Sequence, residues 1–352
     1  MERRKFIHNV GLGSLAFPLF SFGKNPLTTN EVAGKDIIIP KALKEGDTIG
    51  IISPASAIFE SEPYEIARES FEALGLKVKF GEFTKSRYGH LAGTDEQRAA
   101  ELMNMFADPE IKAIIALRGG SGSARILDKL DYKLIAQNPK IFIGYSDITA
   151  LHLAIFQRTG LVTFHGPVAV STWNSFATTY LKNLLFEGEA ILFENPSTKG
   201  DELTQTSNRI RTIKEGTARG ALLGGNLSVL TGLMGTEYFP KDWTGKILYL
   251  EEIGEKIYSV DRMMTQLQLG GVLDQISGFV FGKCNDCEPG GSGYGSLTLE
   301  EVIDHYIKPL NIPAYTGAMI GHISDNVTIP NGIQAEINAE KGTIHLLSPA
   351  VK

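Results

Sequence analysis

Amphipathic stretches and short apolar runs alternate along the first half of the chain. The stretches over 62–74 and 95–106 carry apolar residues at the spacing of a helix. The apolar runs, which are bounded by turn residues, predict buried β-strands at 48–52, 76–80, 113–117, 140–144 and 161–164. Strands that alternate with helices predict right-handed crossovers and a parallel, doubly wound sheet.

The alternation stops between residues 171 and 215. Ser, Thr, Asn and charged residues dominate 195–208, which is typical of a linker or a long exposed loop. A second unit follows, with predicted strands and helices at 246–250, 260–269, 276–281 and 299–306. We therefore divide the chain into an N-terminal domain over 46–170, a linker or loop segment over 171–215 and a C-terminal domain over 216–352.

The last part of the chain predicts a β-hairpin. Residues 334–338 and 343–347 alternate apolar and polar positions around the turn sequence Glu340-Lys341-Gly342. The expected fold class is therefore α/β, with a parallel-sheet N-terminal domain and a smaller β-rich α/β C-terminal domain.

Residues 1–25 differ from the rest of the chain. Arg3 and Arg4 precede an uncharged stretch from Val10 to Phe22 that is rich in Gly, Leu and Phe. A basic start before a short apolar stretch is typical of a secretory signal, and the paired arginines indicate the twin-arginine route. The stretch is shorter than the roughly 20 apolar residues that span a bilayer. We expect an exported, periplasmic protein without an integral membrane segment in its mature form; a disordered basic N-terminus is the alternative.

Composition excludes some classes of partner. The chain has 352 residues, of which 43% are hydrophobic and 21% charged, with a formal net charge of −6. Without a Lys/Arg cluster beyond the N-terminus, a nucleic-acid partner is not expected.

The only cysteines, Cys284 and Cys287, are too few for a structural zinc site, which needs four ligands. They can form a small-loop disulfide or remain two ordinary thiols.

Reactive groups in open α/β sheets gather at the carboxyl ends of strands, and the end of the 140–144 strand offers a serine. In Gly144-Tyr145-Ser146-Asp147 the serine lies between a buried strand and a helical stretch. A serine at such a turn points its hydroxyl out of the sheet, and the first helical amides face a developing oxyanion. Ile148 replaces the second glycine of the usual nucleophile elbow. The alternative is that Ser146 or Asp147 caps the helix.

Two further strand ends offer candidate chemistry. Residues 118–123 are glycine-rich and are either a partial dinucleotide loop, a loop of backbone donors facing Ser146, or a turn that needs positive φ. Glu251 follows the 246–250 strand, where a carboxylate can orient a histidine. His165 and His322 both follow apolar strands, and the residues alone do not choose between them.

Six short motifs, in this order, resemble the signatures of the LD-carboxypeptidase family of serine peptidases. They are Arg-Gly-Gly-Ser-Gly-Ser-Ala-Arg at 118–125, Gly-Tyr-Ser-Asp-Ile-Thr-Ala at 144–150, Phe-His-Gly-Pro at 164–167, Gly-Gly-Asn-Leu at 224–227, Leu-Glu-Glu at 250–252 and Gly-His at 321–322. The resemblance runs from about Gly46 to the C-terminus. It implies a flavodoxin-like N-terminal domain, a smaller β-rich C-terminal domain and an active site at their interface.

The resemblance also implies the roles of individual residues. Ser146 matches the nucleophile, His322 the general base and Glu251 the carboxylate that orients it. The residues that match the family's oxyanion amides are Asp147 and Gly119 or Gly120. No metal or cofactor is implied, and because family members are often dimers, a homodimer is compatible with the resemblance.

The implied reaction is release of a C-terminal D-amino acid from an L-configured neighbour, with D-alanine from murein tetrapeptide as the expected product. An export signal suits a murein substrate, although it departs from the family's usual cytoplasmic recycling role. The chain also resembles a sister branch, the microcin-immunity peptidases, which cleave a peptidyl-nucleotide. For that branch, Trp173 in the polar segment offers a stacking surface, although ordinary packing of this tryptophan is the favoured interpretation.

Two readings come from other classes. An exported two-domain α/β chain is also compatible with a periplasmic solute-binding protein that needs no triad. The second alternative is a nicotinamide-dependent oxidoreductase that uses the loop at Gly120. This alternative predicts that NAD or NADP raises the thermal stability of the protein.

Overall fold

Two β-sheets, one largely parallel and one mixed, organise the chain. The computed structural model describes residues 36–289 and 295–352, so the predicted signal at 1–25 lies outside the described residues. Asp36–Lys352 forms one compact unit. None of the helices in the described ranges combines the length and apolar character that a bilayer crossing requires.

The strands are β1 Thr48–Ile52, β2 Lys77–Phe80, β3 Ile111–Ala116, β4 Ile141–Gly144, β5 Thr163–His165, β6 Leu192–Phe193, β7 Arg211–Lys214, β8 Thr217–Asn226, β9 Ile247–Ile253, β10 Gly278–Asn285, β11 Ala314–Thr316, β12 Ile329–Asn331, β13 Gln334–Asn338 and β14 Thr343–Leu346. The α-helices are α1 Glu62–Glu72, α2 Asp95–Ala107, α3 Tyr132–Gln137, α4 Thr149–Thr159, α5 Ser175–Leu185, α6 Leu227–Gly232, α7 Ile257–Leu269 and α8 Leu299–Ile307. Short 3₁₀ helices cover Ser123–Lys129, Ser146–Ile148 and Lys308–Leu310.

The first sheet has the strand order β12-β5-β4-β3-β1-β2. Its five N-terminal strands are parallel in the flavodoxin-like order 2-1-3-4-5, which confirms the predicted fold class. Strand β12, from the far end of the chain, pairs antiparallel with β5. The order reverses between β1 and β3, and the crevice at the carboxyl ends of strands at such a point is where ligands bind in open α/β sheets.

The second sheet has the order β6-β14-β13-β8-β9-β10-β11-β7. Strands β8 to β11 are parallel and form its centre, while the predicted β13–β14 hairpin and the short β6 and β7 run antiparallel at the sides. This is the predicted β-rich α/β region.

Helix α4 packs against both sheets, through β5 of the first and β8 of the second. Its residues Thr149–Ile155 are all buried, so the helix is covered on every side. Apolar residues of both sheets join in the same core, as Ile114 of β3 and Leu248 of β9 illustrate. The two sheets are therefore held together by shared apolar packing.

The prediction of a linker or loop over 171–215 is wrong for part of that segment. Asn174 caps helix α5, whose Ala177, Leu181, Leu184 and Leu185 are buried. The helical spacing of these four residues is hard to see because Ser, Thr and Asn fill the positions around them. Strands β6 and β7 lie in the same segment and extend the second sheet. The division into domains at 46–170 and 216–352 stays a prediction.

Candidate active site

Ser146 lies at a sharp turn between strand β4 and helix α4. Its φ is +63°, a left-handed conformation that is costly for any residue with a side chain. A Cβ added at Gly144 would lie 2.9 Å from Cγ2 of Ile148. The turn therefore needs a glycine two residues before the serine. Ile148 fills the space against Gly144, and the elbow forms although its second glycine is missing. Such strain at a strand-to-helix serine is typical of a nucleophile.

The glycine-rich loop after β3 lies directly against this serine. A Cβ added at Gly119 would be 2.9 Å from Cβ and 3.2 Å from Oγ of Ser146. Gly120 has a φ of +113° and no room for a Cβ beside Ser56. Both glycines are therefore required by close approach or by conformation, and the loop brings its backbone to Ser146.

Replacing Gly119 with alanine should lower kcat/KM about 10- to 100-fold, because the added methyl group displaces Ser146 by a fraction of an ångström to an ångström. Gly232 in α6 is the matched control, since a Cβ there has no atom within 4 Å. We expect Gly232→Ala to keep full activity. Steady-state kinetics on a peptide substrate measure both, and equal activity of the two variants would contradict this account of Gly119.

Asp147 holds this turn in place through both its carboxylate and its backbone carbonyl. The Oδ2 atom of Asp147 accepts a hydrogen bond of 2.8 Å from the Ser123 amide, and the Ser123 hydroxyl donates to the Asp147 carbonyl. Burial raises the pKa of Asp147, and the bonds from Ser123 oppose this rise. The side chain thus fastens the glycine-rich loop to the elbow. Its amide belongs to a first helical turn, where amides have no partner within the helix.

Glu251 and His322 come from the second half of the chain and meet beside the elbow. Nδ1 of His322 lies 2.8 Å from Oε2 of Glu251, which is fully buried. Gly321 has a φ of +129°, and a Cβ there would lie 3.1 Å from the same carboxylate oxygen. The Gly-His motif therefore allows the histidine to approach the glutamate. Glu251 was expected just after a strand, but β9 continues through it to Ile253.

A cavity of about 390 Å³ brings the candidate residues together. Its wall includes Ser146, Gly119, Gly120 and His322, while Glu251 lies behind the histidine. The cavity opens at the carboxyl ends of β3 and β4, next to the point between β1 and β3 where the order of the first sheet reverses. The structure thus places Ser146 and His322 on the wall of one cavity, and Glu251 is in hydrogen-bond contact with the histidine.

Beside Arg118 and Tyr145, apolar side chains complete the wall: Ile58, Val168, Val170 and Ile253. Because a cavity of this kind suits a small apolar group next to the reacting atoms, it is compatible with a peptide side chain such as a methyl group.

The structure also distinguishes the two histidines. His165 is fully buried and does not line the cavity; its Nε2 lies 4.0 Å from Oε1 of Glu251. Burial, helped by the charges of His152 and His322, lowers the pKa of His165 well below its usual value. His165 is therefore a neutral core residue behind the glutamate. Only His322 reaches the space where a substrate lies.

Family models for two regions match this chain. The model described as the LD-carboxypeptidase N-terminal domain matches residues 49–166, and that of the LD-carboxypeptidase C-terminal domain matches 219–337. A protein of Bacillus subtilis (strain 168) named "Probable murein peptide carboxypeptidase" is 41% identical over 309 residues, covering 86% of this chain and 92% of its own length. The chain belongs to the LD-carboxypeptidase family.

Other members of the LD-carboxypeptidase family are similar to this chain over most of its length. The "Murein tetrapeptide carboxypeptidase" of Pseudomonas aeruginosa is 31% identical, covering 83% of this chain and 94% of its own. The structure of MccF in complex with glutamyl sulfamoyl guanosine superposes with a TM-score of 0.81 at 26% identity, covering 89% of this chain and 99% of that one.

The Gly-Gly-Asn motif of this LD-carboxypeptidase family member has a structural role that the sequence did not reveal. The Asn226 side chain donates to Glu252, and the Asn226 amide donates to Oγ1 of Thr149 in α4. The other oxygen of Glu252 accepts from the Ser228 amide at the start of α6. Both oxygens of Glu252 thus hold the turn at Asn226, and the Asn226 amide in turn bonds to α4. Of the two adjacent glutamates, only Glu251 faces the histidine.

Tyr145 is a further residue of the LD-carboxypeptidase site that the sequence did not single out. Its ring centroid lies 4.7 Å from that of His322 and 6.2 Å from that of His165. Its neighbour in the sequence is the candidate nucleophile, which was the one available signal. Tyr145 therefore packs against the imidazole at an interplanar angle of 60° and restricts its position.

Cys284 and Cys287 are joined by a disulfide at the end of β10, which resolves the choice between a staple and two thiols. Strand β10 pairs there with β9, and the amide of Lys283 donates to the carbonyl of Ile320. The disulfide thus lies close to the segment that carries His322. Within the described ranges, no group of three or more His, Cys, Asp or Glu side chains is arranged to hold a metal ion.

Proposed function

We propose that this LD-carboxypeptidase family member is a serine peptidase that releases D-alanine from murein tetrapeptide. The observation that carries the proposal is the strained Ser146 on the same cavity wall as His322, whose Nδ1 is held by buried Glu251. The names of the Bacillus and Pseudomonas relatives give the substrate class. The export signal at 1–25 remains part of the proposal, and it suits a substrate outside the cytoplasmic membrane.

The geometry supports a division of roles in acyl transfer. Because Nδ1 of His322 donates to Glu251, Nε2 is free to take the proton of the Ser146 hydroxyl as the oxygen attacks the scissile carbonyl. The amides of Asp147 and of Gly119 or Gly120 are the proposed donors to the resulting oxyanion. His322 then passes the proton to the departing amine of D-alanine. Water hydrolyses the acyl-enzyme by the same steps in reverse.

The deciding experiment incubates the mature protein with murein tetrapeptide and separates the products. We expect tripeptide and free D-alanine, formed without added metal and unaffected by a chelator. A tetrapeptide that ends in L-alanine is the matched control and should stay intact. Cleavage of L,L-peptides alone, or loss of activity with the chelator, would contradict the proposed function.

The structural likeness to MccF supports a second candidate function, which is cleavage of a peptidyl-nucleotide. MccF was solved with glutamyl sulfamoyl guanosine, and that compound is therefore the test substrate. Trp173 does not favour this reading: its ring packs edge-on against Phe71 at 5.1 Å and its Nε1 donates to the Ala169 carbonyl. Release of glutamate at a rate equal to that of D-alanine release would favour the second function.

Features of the structure argue against the two other functions, solute binding and nicotinamide-dependent oxidoreduction. A solute-binding protein has no need of a strained serine beside a histidine–glutamate pair. The loop at Gly120 lies against Ser56 and Ser146, and a 3₁₀ helix follows it where a dinucleotide fold places an α-helix.

A further inference from the structure

A peptidase that removes one terminal residue must recognise the terminal carboxylate. That carboxylate carbon is separated from the scissile carbonyl carbon by only one nitrogen and one Cα, so the two lie within about 4 Å. The group that binds it must therefore reach the cavity close to Ser146. A desolvated carboxylate also needs a cation or several donors, because an unpaired charge is costly away from water.

Among the described residues, Arg118 is the one side chain with a permanent positive charge on the wall of the cavity. It precedes Gly119, whose Cα approaches Ser146 so closely that an added Cβ would touch the serine. The guanidinium is thus attached one residue away from the proposed oxyanion donors. Its charge also reaches the elbow, since Arg118 opposes the rise in the pKa of Tyr145 that burial causes.

The donors of Arg118 are largely unused. In the described parts of the chain, its guanidinium forms one long hydrogen bond of 3.4 Å, to the carbonyl of Ala57, and no ion pair. Six other arginines pair with carboxylates, and Arg87 and Arg262 stack on aromatic rings; the six are Arg68, Arg98, Arg125, Arg158, Arg211 and Arg219. A guanidinium has five N–H donors in a planar fork that matches a carboxylate.

We propose that Arg118 binds the C-terminal carboxylate of the peptide and so restricts this protein to removal of a single terminal residue. This rests on the proposed function, because it concerns the substrate of that same cavity. The guanidinium donates charge-assisted hydrogen bonds that both carboxylate oxygens accept. A peptide that continues beyond the scissile bond has no carboxylate at this position and leaves the guanidinium without a partner.

The test compares murein tetrapeptide with the same peptide ending in D-alaninamide, for the natural protein and for Arg118→Met. We expect the natural protein to prefer the free acid roughly 10- to 100-fold in kcat/KM, the range that one charge-assisted interaction supplies. Arg118→Met should lose this preference by reacting more slowly with the acid while its rate on the amide stays unchanged. Arg118→Lys should retain part of the preference, since it keeps the charge and loses the fork.

Two controls separate recognition from damage. Arg262, an exposed arginine that stacks on Tyr258, is replaced by methionine and should leave both substrates unaffected. Binding of the tetrapeptide to Ser146→Ala, with and without Arg118→Met, shows the affinity apart from chemistry, and the double variant should bind the acid more weakly.

The outcomes are distinct. An equal loss on acid and amide in Arg118→Met, or no preference in the natural protein, would overturn the role of Arg118 and leave the proposed function standing. Failure of the natural protein to cleave either peptide would instead overturn the proposed function itself.

Discussion

Replacing Ser146 with alanine should lower kcat by on the order of 10⁴-fold or more, because no other group can form the acyl-enzyme. The substitution removes only the hydroxyl group, so the cavity and the pairing of Glu251 with His322 remain. Substrate affinity should stay close to that of the natural protein. Active-site titration and steady-state kinetics on murein tetrapeptide measure the loss.

The backbone at this position supplies a second measurement that does not depend on the substrate. A φ of +63° strains any residue with a Cβ, whereas glycine adopts it freely. Ser146→Gly should therefore be as inactive as Ser146→Ala but raise the free energy of unfolding by about 1 kcal/mol. Retention of peptidase activity in both variants would remove Ser146 from the mechanism.

Replacing His322 and His165 should have opposite consequences. His322→Ala removes the proposed base and should lower kcat by roughly 10⁴-fold with little effect on unfolding. His165→Ala should keep substantial activity, because the ring lies outside the cavity and burial keeps it neutral. It should, however, lower the free energy of unfolding by about 2 kcal/mol or more, since it leaves a cavity in the core.

Kinetics per folded molecule and denaturant unfolding separate these two effects. His165→Phe, which keeps the ring volume and removes both nitrogens, is the second variant if His165→Ala does not fold. Should His165 variants lose activity and His322→Ala keep it, the base has been assigned to the wrong histidine.

The first half of the fold could be predicted from sequence because its signals are local. A buried strand of the parallel sheet is a short apolar run, and α2 begins at Thr94 with a capping box that Gln97 completes. Each of these features depends on neighbours within a few residues. The ends of the strands shift by one or two positions, because pairing with other strands decides where an extended segment stops.

Other elements could not be predicted because partners distant in the chain create them. Strand β12 is the tripeptide Ile329–Asn331, with a proline in its middle, and the sequence gives it no strand pattern. It is tolerated because it lies at the edge of the sheet, where β5 is its one neighbour. The choice between His165 and His322 is similar: both follow apolar runs, and only the three-dimensional arrangement shows which one faces Ser146.

The edge position of β12 also has a consequence for synthesis. The first sheet lacks one strand, and the proposed nucleophile lacks its base, until the chain has grown to the region of His322 and Asn331. Roughly 160 residues separate β5 from β12. At about 5–20 residues per second, the ribosome needs on the order of ten seconds or more to cover them. During that interval the nascent chain presents an unpaired edge at β5 and lacks the proposed base, so the proposed activity can appear only after the region of His322 has been synthesised.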